Sequence, residues 1–342
     1  MKLIATTLLC SSALLGFGET LETKAGEGDV LTRTYTYASE SVLDSMTMLM
    51  NGDEHGGMGG GMERESKSSS RLVVRDELGK VEDDVVISAE RTYLELSGER
   101  EDNVVPPRGD PMDMETTESS ELVDKTVVLT SKDDKIVATW AKGSDGEKEL
   151  LEGLKFAEDF GILLPAEAVE ADSTWTIPGS LLSLLAEPIG DTHLVAGDMP
   201  EGMDMEALIQ PTEELKGELE AKFVEIVEED GRKFARVELQ IEVAGTLDMT
   251  DAMAAMQEED APEGRAMPKI ESMIHEVDYS GEGSFLWDLE GGHLYILEIN
   301  CETQSKETMT MVLDMGGQEV EMEQISESTG TESWTVKYEM AR

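Results

Sequence analysis

The chain is 342 residues long and carries 75 Asp and Glu against 27 Lys and Arg, a formal net charge of −48. A surface this acidic repels phosphate backbones and anionic headgroups, which argues against nucleic acid as a partner. The 39% of apolar residues are those of a folded protein, and no apolar run after residue 18 nears the roughly 20 residues that a membrane-crossing helix needs.

Lys2 precedes an apolar run from Leu3 to Phe17, with small residues at Gly16 and Gly18. This reads as a signal peptide over 1–18, cleaved after Gly18, and implies an extracytoplasmic (periplasmic or secreted) protein. A lipid anchor at Cys10 competes with that reading, but Leu9 stands where a small residue is wanted. The other cysteine, Cys301, alternates with Tyr295, Leu297 and Ile299 and reads as a buried small hydrophobe.

After the signal segment, Leu31, Tyr35 and Tyr37 share one face of a strand, and Val42, Met46, Met48 and Met50 one face of the next. Strands are also predicted over 68–75, 85–96, 126–130 and 135–140. Mobile loops are expected near 51–66, rich in glycine and methionine, and near 98–121, with Pro106, Pro107 and Pro111 among many acids. Two further loops fall near 190–213 and 248–271.

Helices are few. Leu150, Leu151, Leu154 and Ala157 form an apolar stripe that predicts a helix over 147–160 with Gly161 as its stop. A shorter one after Pro178 carries Leu181, Leu182, Leu184 and Leu185 and must end before Pro188, and a third is possible over 251–259.

The last third alternates most cleanly. Ala235, Val237, Leu239, Ile241 and Val243 oppose Arg236, Glu238, Gln240 and Glu242, and Asp230-Gly231 joins this strand to its predecessor over 218–227. Phe285, Trp287 and Leu289 lead through Gly291-Gly292 to Tyr295, Leu297, Ile299 and Cys301. Strands then follow with Met309, Met311, Leu313 and Met315, with Val320 and Met322, and, after a turn at Thr329-Gly330, with Trp334, Val336, Tyr338 and Met340. Six or seven antiparallel strands are thus expected from 218 onward. The fold class is mainly β with a minor α+β component. It is a single domain over 19–342, a long curved antiparallel sheet or half-barrel with a few short helices packed on its concave face.

Leu163-Leu164-Pro165, the stretch from Val169 to Trp175-Thr176-Ile177, the Leu219 strand and Gly283-Ser284-Phe285-Leu286-Trp287-Asp288 together resemble an uncharacterised family of secreted bacterial β-rich proteins. That family has no established activity and transfers no catalytic residue. Its element order is similar, at the level of fold, to the periplasmic lipoprotein-carrier half-barrels, whose cavity holds acyl chains. The chain departs from such a carrier in its acidity and in lacking an obvious arginine for a lipid headgroup.

The expected function is that of a non-enzymatic protein binding an apolar small molecule, a lipid or a partner segment on the concave face. No cofactor is expected. Met46, Met48, Met50, Met309, Met311 and Trp287 are the candidate cavity residues, because methionine adapts to varied apolar ligands. The alternative is a copper site in 46–62, where His55, Met58 and Met62 would fold back on the methionine strand as soft ligands. An unrecognised hydrolase is the third reading: His193, His275 and His293 are isolated in sequence, and neither a nucleophile elbow nor a zinc-binding histidine pair occurs.

Overall fold

Period-2 alternation and glycine turns produce one long-stranded sheet. The computed structural model describes residues 19–54, 62–107, 109–133, 135–196, 215–229, 231–250, 253, 269–314 and 319–341. The signal segment, His55, Met58 and nearly all of the expected 251–259 helix lie outside them.

The first strands are β1 (Val30–Met50), β2 (Asp53–Glu54), β3 (Glu63–Leu78), β4 (Val81–Glu82), β5 (Val85–Val86), β6 (Ser88–Val105) and β7 (Met112–Ser119). A middle segment follows with β8 (Thr126–Lys132), β9 (Lys135–Trp140), β10 (Thr174–Pro178), α1 (Leu181–Ala186) and β11 (Val195–Ala196). The last are β12 (Lys216–Glu229), β13 (Arg232–Asp248), β14 (Lys269–Asp288), β15 (His293–Asp314) and β16 (Glu319–Met340).

The main sheet runs β10-β12-β13-β14-β15-β16-β1-β3-β6-β7-β11, with β8 and β9 branching from β6. All its pairings are antiparallel, and it does not close into a barrel. The first and last long strands, β1 and β16, pair along nearly their whole length. Outward residues such as Glu298, Asn300, Glu302, Gln304 and Lys306 on β15 are polar, unlike the apolar band of a lipid-facing barrel wall. No helix among the described residues is long and apolar enough to cross a membrane.

The mainly β class and the meander hold, but the strands are longer than expected. Among the described residues from 218 onward there are five strands instead of six or seven, because β15 and β16 each run 22 residues without a break. Thr329-Gly330 is not a turn: Gly330 sits inside β16 opposite Ser41. A Cβ there would collide with the Glu40 carbonyl oxygen, so glycine marks a close strand approach. The two N-terminal strands are likewise one, the 21-residue β1.

A bulge between Leu43 and Ser45 reverses the facing, so Met46 points inward whereas Val42 is 49% exposed. A second bulge, between Leu286 and Trp287, puts Leu294 in the core and sends Tyr295 to the other face against the Phe234 ring, 4.6 Å away. The 98–121 stretch, expected as a loop, is largely the β6–β7 hairpin, and 63–66 belongs to β3.

The helix expected over 147–160 is replaced by a 3-10 turn at Glu149–Leu151. Gly153 has φ +72°, and the chain then runs extended against 188–191, with Lys155 N donating to Ile189 O and Glu158 N to Pro188 O. Tertiary pairing took the backbone donors that a helix would have used, while the same leucines still reach the core. The second helix forms as α1, burying Leu181, Leu182 and Leu185.

The core lies at one end of the concave face. Leu122, Leu154, Phe160, Leu163, Leu181 and Ile189 of the middle segment pack on Val74, Tyr93, Leu239, Phe285, Leu297 and Val336 of the sheet. Gly281 lies within β14 opposite Cys301 of this core, where an added Cβ would strike the Asn300 carbonyl oxygen and come 2.7 Å from Cys301 Cα. Gly281→Ala is therefore expected to destabilise the fold by about 1–3 kcal/mol, measured by urea unfolding. A loss below experimental error would show that the strands can separate there freely.

Candidate functional site

Antiparallel register sorts the inward side chains into rows across the strands. The row on the core is Phe285, Leu297, Val336, Tyr35, Leu72 and Leu96. Four residues further along the strands the row is Gly281, Cys301, Glu332, Ser39, Ser68 and Arg100. Next come Tyr279, Thr303, Gly330, Ser41, Ser66 and Asp102. Beyond these lie His275, Glu307, Ser326 and Met46, and then Met273, Met309, Gln324 and Met48. The concave face thus changes from apolar to hydroxyl-rich to methionine-rich along its length.

The middle segment covers the apolar rows. The hydroxyl-rich part lines a cavity of about 600 Å³, a volume ordinary for small-molecule sites. Seven serines form much of its wall: Ser39, Ser41, Ser66, Ser68, Ser305, Ser326 and Ser328. Leu43, Met46, Met62, Val104 and Met114 add apolar surface, and Arg64, Lys67, Arg100, His275, Glu307 and Gln324 add polar and charged groups. Ser39 and Ser68 hydrogen-bond to each other at 2.8 Å.

On the β3–β6 wall two arginines share one carboxylate. Arg64 donates through Nη2 at 2.9 Å and Nε at 3.3 Å to Asp102, and Arg100 through Nε at 2.6 Å; Ser66 Oγ also donates to it. Burial alone would raise the Asp102 carboxyl, but the donors from Arg100, Ser66 and Arg64 outweigh it and hold the carboxyl at about 2. Asp102 is 8% exposed, whereas both guanidiniums line the cavity. Lys67 is tied to Glu65 at 2.9 Å.

In register between Ser39 and Cys301 lies Glu332, hydrogen-bonded by the Tyr37 and Tyr279 hydroxyls. Burial pushes its carboxyl up to about 7 despite both donors. Burial, aided by Glu332, pushes the Cys301 thiol up to about 12, so it is protonated and unreactive at neutral pH. Cys301 is 3% exposed, as its alternation implied.

Of the residues singled out from sequence, Met46 and Met62 both line the cavity. Met48, Met50, Met309 and Met311 lie on the same face in the rows beyond it, Met50 and Met311 both opposite Met322. Trp287 does not belong with them: it is wholly buried in the core, donating its indole N–H to Glu22 O at 3.2 Å.

His275, Glu307 and Ser326 stand in one row. In a hydrolytic triad the histidine lies between acid and hydroxyl, whereas here the carboxylate occupies the centre. No hydrogen bond joins the three among the described residues, and burial lowers the His275 pKa while Glu307 opposes it. The row is polar lining.

Arg64, Arg100, Asp102 and the serines were missed in sequence. The signal was present as serine at period 2 in Ser39/Ser41, Ser66/Ser68 and Ser326/Ser328, continuing apolar alternation on the same face. Arg64 and Arg100 are 36 residues apart, and only strand pairing brings them to one carboxylate.

No protein-family model matches the sequence, and the comparison with curated proteins found no match. Among solved structures the chain is similar to OccK7 (OpdD) of Pseudomonas aeruginosa, with 8% identity, coverage of 93% of this chain and 100% of that chain, and a TM-score of 0.21. It is similar also to a Pseudomonas aeruginosa FadL homologue, with 7% identity, coverage of 91% and 90%, and a TM-score of 0.19. Likenesses at these scores carry no argument about ligand or mechanism, so the functional reading rests on the cavity itself.

Proposed function

We propose that the protein is an extracytoplasmic, non-enzymatic binding protein that holds an elongated amphipathic molecule in the open part of its concave face. The layering of that face carries the reading: a serine-lined cavity of about 600 Å³ continues into methionine-bearing rows on the same strands. Serine hydroxyls meet a polar portion of the ligand, and flexible, polarisable methionines accommodate a chain of variable shape. A purely apolar ligand would desolvate hydroxyls and guanidinium N–H groups beyond those that Asp102 and the Ser39–Ser68 pair satisfy, which is costly. The signal segment read in the sequence supports the location.

The test is binding of N-phenyl-1-naphthylamine, a neutral fluorescent probe whose aromatic rings suit the methionines and whose amine N–H can reach the serine hydroxyls, to the purified chain. Wild type is expected to enhance its emission, and Ser326→Phe, which fills the cavity from β16, to reduce the affinity at least tenfold with unchanged circular dichroism. Equal binding by both proteins would remove this cavity as the ligand site.

A further inference from the structure

The amphipathic reading leaves open which end of a ligand meets which wall, and the charges answer this. The whole chain carries −48, yet two guanidiniums line the cavity from adjacent strands. Their shared partner Asp102 supplies one negative charge against two positive ones, so this wall keeps an excess of one positive charge. Asp102 engages Nε and Nη2 of both arginines, and no hydrogen bond to either Nη1 occurs among the described residues. Each arginine thus retains N–H donors beyond those that Asp102 takes up.

We infer that Arg64 and Arg100 form a subsite for the anionic head group, carboxylate or phosphate, of the bound amphiphile. This inference rests on the proposed function above. Guanidinium is the side chain best suited to planar, two-pronged recognition of such oxyanions. Ser68 lies beside Arg100 in register and offers a hydroxyl to the same group. Glu307 stands on the β15 wall of the cavity and disfavours an anion there, so the ligand is polarised with its head towards β3 and β6. Its chain then runs over Met46 and on to the rows of Met48 and Met50. The arginine that the sequence reading did not find for a headgroup is supplied by strand pairing.

Competition against N-phenyl-1-naphthylamine tests the assignment, with dodecanoate, dodecyl phosphate, dodecanol and inorganic phosphate as competitors. Dodecanoate and dodecyl phosphate are expected to displace the probe from wild type at concentrations at least tenfold below that of dodecanol. The double variant Arg64→Met with Arg100→Met should bring all three within twofold. Because that variant strands Asp102, Asp102→Asn is the second probe: it removes the competing anion, and should tighten dodecanoate several-fold while leaving dodecanol unchanged. If dodecanol competes as well as dodecanoate in wild type, or Asp102→Asn leaves dodecanoate unaffected, the head-group subsite is overturned while the groove stands. If inorganic phosphate matches dodecyl phosphate, the site takes free anions and the head-group assignment falls. Failure of the neutral probe itself to bind would instead overturn the proposed function.

Discussion

Asp76→Ala is expected to cost about 3–5 kcal/mol of folding stability, a large fraction of what a domain possesses. Asp76 is 2% exposed and accepts from two buried arginines, from Arg91 through Nε at 2.7 Å and Nη2 at 3.0 Å, and from Arg33 through Nη1. Burial alone would raise its carboxyl, but Arg91 and Arg33 outweigh that and hold it below the ordinary 3.8. Removing it strands two cations where water cannot reach them. The cluster also holds the middle segment: Arg91 Nη1 donates to Lys155 O at 2.8 Å and Ile189 O at 3.4 Å, and the Tyr338 hydroxyl donates to Glu158 O.

The pH dependence follows from the depressed carboxyl. Its contribution is fully present above the unfolded pKa and is lost as pH falls through the folded one. Denaturant unfolding at pH 7 should show the midpoint shift, and wild type should lose stability more steeply than Asp76→Ala on acidification below pH 4. Replacing all three members by apolar residues should recover part of the loss, but not all, because the Lys155 carbonyl would lose its Arg91 donor. A midpoint within error of wild type for Asp76→Ala would mean that the cluster is hydrated and contributes little.

Glu332 produces the second large effect, with the opposite sign. Its carboxyl, raised by burial from the ordinary 4.5 to about 7, is protonated in the folded protein over a range where the unfolded chain is ionised. The folded state then binds more protons, so stability is fully present below the unfolded pKa and declines as pH rises through about 7. The shift corresponds to at most about 3.5 kcal/mol at ~1.4 kcal/mol per pKa unit. Glu332→Gln keeps a neutral, hydrogen-bonding side chain between Tyr37 and Tyr279. It should match wild type near pH 5 and exceed it by about 2–3 kcal/mol at pH 8. Parallel stability curves for the two proteins between pH 5 and 8 would show that Glu332 ionises normally and that its surroundings are wet.

Much of the fold was legible because it depends on neighbours in sequence. Asp230-Gly231 predicted the β12–β13 hairpin, observed with Glu229 opposite Arg232 and Gly231 at φ +76°. Ala235, Val237, Leu239, Ile241 and Val243 are all buried on one face as their alternation required. The strand over 135–140 has the limits read from sequence. Two of the failures involve a distant partner. The 147–160 stripe has helical spacing, but pairing with 188–191 offered its backbone another set of acceptors. Gly330 looks like a turn locally and is a contact with β1 in space.

The candidate site divides in the same way. Alternation alone placed Met46, Met48, Met50, Met309 and Met311 on a common kind of face, and composition alone set the acidic exterior. Where along the strands the apolar core stops and the cavity begins was settled by how far the middle segment reaches over the sheet. That Arg64 and Arg100 converge on Asp102, that Glu332 is half-buried between two tyrosines, and that Trp287 belongs to the core instead of the cavity were decided by register. A period of two tells a side chain which face it takes, whereas register and bulges, set by the pairing of distant strands, determine what it meets there.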